Sequence, residues 1–216
     1  MNWIDSVGAF GWTPTNAVVR RAGEYASRSV SDPSNPWLTK PGDLSSGYLP
    51  CRRTYHILMT DGEWNDSALE HNQVNSGWTL PDGKIYNPSD PQTSIYNGHL
   101  GATIANATFY YWRRDLQPGI PNQIAPLMRI TSPQIASAGG VTTIIEPYWN
   151  PKNDPSTWQN LSTYTIGFGT AARLTRPRWD SATNDMYSTD LSRSDYLYLL
   201  SGSQKWANNF QLVSDS

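Results

Sequence analysis

The 216-residue sequence is short of cysteine, of charge and of long apolar runs, and each shortage removes a class of protein. Cys51 is the single cysteine, so no internal disulfide forms; its thiol is either a small buried group or half of a pair whose partner is missing from this sequence. The histidines, His56, His71 and His99, are scattered, with no Cys/His spacing that suits zinc. Each reads as a surface or internally satisfied residue. No apolar run approaches the ~18 residues that a membrane-spanning helix needs. The amino terminus, Met1-Asn2-Trp3-Ile4-Asp5, lacks the basic and apolar regions of a signal peptide. Charged residues make up 16% of the chain, against about 25% in an average globular domain. A net charge of −2 without a basic stripe argues against nucleic acid as a partner.

Polarity comes instead from Asn, Ser, Thr, Gly and Pro, alongside ten Trp and twelve Tyr. So many aromatics imply packing under long loops or an exposed binding surface, in the style of an extracytoplasmic protein. The length suits one large domain, or one domain carrying insertions.

Tyr55 to Asp66 is the most informative stretch. The apolar run Ile57-Leu58-Met59 stops abruptly at Thr60-Asp61-Gly62, as a buried α/β strand does when it ends in a turn bearing a carboxylate. Ligands of open α/β sheets sit at the carboxyl ends of strands. Asp61 is therefore placed to hold a ligand or metal, with Gly62 turning the backbone behind it. Asp-Gly is also a common turn pair, so Asp61 as a simple turn cap stays open.

Elsewhere, Thr13 reads as an N-cap and Pro14 as the first residue of a helix to Ser27, with small apolar residues at helical spacing. The Pro- and Gly-rich stretch from Ser29 to Pro50 reads as loop, and a strand follows over Thr54–Met59. After an irregular region over 65–98, Leu100, Ile104, Ala107 and Tyr111 predict a helix to Leu116, stopped by Pro118-Gly119. Residues 121–153 read as a loop-rich insertion with a short strand at Val141–Ile145. Asp154-Pro155 predicts a capped short helix, and Thr163–Gly169 a second core strand. Tyr196–Leu200 reads as a brief helix.

Gly11-Trp12-Thr13-Pro14-Thr15, Cys51 through Asp66, Tyr110-Tyr111-Trp112-Arg113-Arg114-Asp115-Leu116, and Pro155–Gln159 with Thr163–Gly169 together resemble a von Willebrand factor type A domain. More narrowly, they look like the amino-terminal A domain of the type IV pilus assembly and tip adhesin family, called PilC or PilY. The resemblance implies a three-layer, Rossmann-like α/β domain, with core segments 11–28, 54–66, 99–117 and 154–169. Long insertions would occupy 29–53, 67–98 and 118–153, with an extension over 170–216. It also implies a non-enzymatic adhesion module at the cell surface, pilus or outer membrane, whose partners are pilus components or a host or abiotic surface.

In that family a divalent cation sits above the sheet edge, and the positions matching its ligands are Thr13 and Asp61. Hard oxygen ligands with an open coordination position suit Mg²⁺, Mn²⁺ or Ca²⁺. The family's Asp-x-Ser-x-Ser loop is not found before Thr13; Asp5-Ser6-Val7-Gly8 does not match it. The first strand and last helix are likewise expected to be missing, so the chain reads as a piece of a longer protein or a truncated product, with weak or absent cation binding. Two other readings stand beside this one: a metal-assisted hydrolase around Asp61, Glu63, Asp66 and His71, and a glycan-stacking surface using Trp64, Trp78, Trp149 and Trp179. Against the second stands the default use of tryptophan, packing insertions onto a core.

Overall fold

The computed structural model describes residues 14–60, 76–96, 104–138, 141–167, 205–206 and 212–213. In chain order these form α1 (Thr15–Ala26), β1 (Thr54–Thr60), β2 (Trp78–Thr79), β3 (Ile85–Tyr86), α2 (Ile104–Trp112), β4 (Gln134–Ala138), β5 (Val141–Ile145), β6 (Leu161–Gly167), β7 (Lys205–Trp206) and β8 (Leu212–Val213). This is a mixture of helix and sheet compatible with an α/β fold.

β1 and β6 pair in parallel over their whole length, from Thr54 opposite Leu161 to Thr60 opposite Gly167. The two core strands expected from the sequence are thus neighbours, and parallel. The remaining pairs, β2–β3, β4–β5 and β7–β8, are antiparallel.

α1 begins one residue later than predicted, with Pro14 in the capping position rather than inside the first turn. The Pro14 carbonyl accepts from Val18 at 3.0 Å. Thr13, the expected N-cap, lies outside the described residues. At the other end the helix leaves carbonyls that need donors. Gln117 Nε2 supplies the Ala26 and Arg28 carbonyls at 2.9 and 2.8 Å. Asn35 Nδ2 donates to the Arg28 carbonyl, the Ser29 carbonyl and Gln117 Oε1. Two buried amides distant in sequence therefore close the end of α1.

α1 buries Thr15, Asn16, Val19, Gly23 and Ala26. Gly23 is obligatory there: a Cβ would lie 2.2 Å from Cζ of Tyr111 and 2.3–2.4 Å from its neighbouring ring atoms. Gly23→Ala is expected to lower stability by about 1–3 kcal/mol through overpacking, less whatever alanine's better helix propensity returns. Urea denaturation of the purified chain measures it, and a gain in stability would mean that Tyr111 moves aside freely.

α2 ends at Trp112, not at the expected Leu116. The Leu116 amide donates to the Gln159 carbonyl and the Gln117 amide to Asp115 Oδ1, so the chain leaves the helix there. The short helix predicted after Asp154 does not form. Carbonyls of Thr157 and Gln159 accept from Ile124 and Leu116, which spends on tertiary contacts the groups a helix would use internally. β6 begins at Leu161, two residues before the expected strand, and residues 168–169 are outside the described set. Tyr196–Leu200 also falls outside it. β5 matches the strand predicted at Val141–Ile145; its partner β4 had no signal in the sequence.

The segments between the core elements pack onto α2 through aromatic rings. Phe109 stacks on Tyr96 (centroids 5.2 Å apart) and on Trp112 (5.6 Å), and touches Tyr86 at 4.8 Å. Leu80, Trp149 and Trp158 complete this cluster.

One face of the β1–β6 sheet lies on the helices, with Leu58 against Val19, Ile104 and Ala107. On the other face Tyr55, Ile57, Met59, Tyr164 and Ile166 are exposed, Ile57 to 63% and Met59 to 64%. Among the described residues neither outer edge of this pair has a strand beside it. Parallel sheets are ordinarily covered on both faces, and open edges template association. The isolated chain is therefore expected to self-associate, and Ile57→Lys with Ile166→Lys to shift it towards monomer in sedimentation velocity. An unchanged distribution would show that this face takes no part.

Candidate functional site

Two apolar clusters fix the direction of both helices. Val19 and Ile104, with Ala107, meet Leu58 near the end of β1. Ala26 and Tyr111, with Leu116, meet Leu161 at the start of β6. Both helices therefore run against the strands, and their amino termini face the sheet's carboxyl edge. Exposed helix N–H groups and the positive dipole end favour a carboxylate at such a place. Thr60 closes β1 there, one residue before Asp61, and Pro14, one residue after Thr13, opens α1. The described polar side chains nearby on the two helices are Thr15, Asn16 and Asn106, all buried.

Thr13 and Asp61 themselves lie outside the described residues, as do Glu63, Asp66 and His71. Among the described residues no group of three or more His, Cys, Asp or Glu side chains converges to hold a metal ion. The described part of the edge thus supplies helix ends and neutral oxygen atoms, not a cation centre of its own.

The tryptophans are more fully placed. Trp149 is buried in the aromatic cluster, in edge contact with Tyr148 at 4.9 Å. Trp78 is half-buried, and the Arg113 guanidinium lies 4.4 Å from its ring centroid. Both are used in packing rather than offered as a stacking platform, which corrects their place in the glycan-binding alternative. Trp64 and Trp179 are outside the described residues. Cys51 is exposed, so the reading of it as a buried thiol is also corrected.

His56 is half-buried on β1, with its Nδ1 3.5 Å from Thr163 Oγ1. Burial holds its pKa below the ordinary 6.5. The unfolded chain then takes up the proton first, so His56 makes stability rise with pH through the window below 6.5 and flatten above it. His56→Gln is expected to shrink that acid-side slope in thermal unfolding followed from pH 5 to pH 7; an identical slope in the variant would remove His56 as its source. His71 and His99 lie outside the described residues.

Sequence reasoning did not single out two anchors that the structure shows. Arg113 is fully buried, its guanidinium over Trp78 and 5.8 Å from the Tyr110 centroid, and desolvation lowers its pKa. Asp154, read only as a cap, accepts from Arg53 Nη1 (2.5 Å), Ser156 Oγ (2.6 Å) and Trp112 Nε1 (3.2 Å). Both hold the insertions and the start of β6 to α2, on the side of the sheet away from the carboxyl edge.

The sequence has relatives among known proteins. The chain is similar to part of the type IV pilus biogenesis factor PilY1. It is 38% identical over 183 residues to the protein of Pseudomonas aeruginosa strain PAK, which takes in 84% of this chain and 14% of the relative. Against the strain PAO1 protein it is 37% identical over 197 residues, or 88% of this chain and 16% of the relative. For the strain UCBPP-PA14 protein the figures are 32% over 209 residues, 95% and 16%. The chain thus spans about a seventh of the length of these relatives. No family model matches it, and no solved structure does.

Proposed function

We propose that this chain is a non-enzymatic assembly and adhesion module of a type IV pilus-associated protein, acting at the cell surface on pilus components or on a host or abiotic surface. The observation that carries this reading is the similarity to PilY1 over 84% to 95% of the chain. The parallel β1–β6 pair, with both helix amino termini at its carboxyl edge, supports a von Willebrand A-like domain of three layers. The exposed apolar face would then be the seat of the third layer. No described helix is long and apolar enough to cross a membrane.

In this reading Thr13 and Asp61 contribute oxygen ligands to a divalent cation, and a carboxylate of the partner completes the coordination. When bound, the cation would supply an electrostatic bridge and no bond-breaking step. Thr13 would bring its hydroxyl from the residue just before Pro14.

With only two ligands from the chain, affinity for Mg²⁺ or Ca²⁺ is expected to be no tighter than the ~10⁻⁴–10⁻³ M typical of weak extracellular modules. Calorimetric titration of the purified chain tests this, with Asp61→Ala as control. Weak binding that disappears in Asp61→Ala supports the site. Binding indifferent to that substitution removes Asp61 as a ligand, and micromolar binding abolished by it means that a complete set of ligands is present. The adhesion reading has its own test: binding of the chain to immobilised pili, with and without chelator. Binding that survives chelation would separate the assembly role from the cation.

A further inference from the structure

We draw no further inference here: the strongest candidate, the open apolar face of the β1–β6 sheet formed by Tyr55, Ile57, Met59, Tyr164 and Ile166, carries nothing beyond the layered architecture already proposed, because nothing in the structure shows what covers it.

Discussion

Replacing Asp154 by alanine is expected to cost about 2–3 kcal/mol of stability, less than the ~3–5 kcal/mol of a fully buried ion pair stripped of one partner, because this pair is only partly buried and solvent screens it. The Arg53 side chain is 13% exposed and that of Asp154 21%. Removing the carboxylate leaves the Arg53 guanidinium donating to the neutral Ala125 carbonyl, with no described carboxylate left to pair its charge. It also strips the acceptor from the Trp112 indole N–H and from the Ser156 amide and hydroxyl. Urea denaturation gives the number, and a double substitution isolates its origin. Arg53→Met in the Asp154→Ala background is expected to recover part of the loss, since it removes the uncompensated charge. A single-substitution loss below about 1 kcal/mol would show that the pair behaves as a fully exposed one.

Trp158→Ala is expected to cost more, roughly 3–5 kcal/mol, because it empties a large buried volume. Trp158 is fully buried, packs edge-on against Trp112 with centroids 5.5 Å apart, and donates from Nε1 to the Trp112 carbonyl at 2.9 Å. That carbonyl belongs to the last residue of α2, where the helix has no partner of its own to give. Trp158→Phe separates the two contributions. It keeps most of the ring contact and loses the donor, so its cost should fall near the ~1 kcal/mol of a single hydrogen bond plus the smaller ring volume. Equal losses for Phe and Ala would mean that the hydrogen bond, not the packing, carries the site.

The parts of the fold that could be read from the sequence are those with a strong local pattern. β1 announced itself because three apolar residues run straight into Thr-Asp-Gly, and α1 because small apolar residues recur every three or four positions after a proline. Their bounds shifted by no more than one residue. β4 could not be seen: Gln134-Ile135-Ala136-Ser137-Ala138 has little strand propensity, and only pairing with β5 makes it one. Asp154 shows the opposite error. Asp-Pro has the local chemistry of a helix start, but Ile124 and Leu116 claim the carbonyls beyond it.

The candidate site stands differently. The sequence placed β1 and β6 side by side and parallel, which the pairing bears out, but the ligand assignment to Thr13 and Asp61 rests on family resemblance and falls on residues outside the described set. The buried polar anchors were invisible for a physical reason. An arginine at position 113 looks like any helix-surface cation until Trp78, thirty-five positions earlier, closes over it. Such partners are fixed by tertiary packing, which no local pattern encodes.

The parallel ladder also dictates an order of events during folding. Thr54 faces Leu161 and Thr60 faces Gly167, so every rung joins positions roughly a hundred residues apart, and closing such a loop costs chain entropy before any rung repays it. The hairpins β2–β3 and β4–β5 join near neighbours and are free to form early. The β1–β6 sheet is therefore expected to form after the β2–β3 and β4–β5 hairpins. A chain emerging from the ribosome stays without this sheet until β6 has been made.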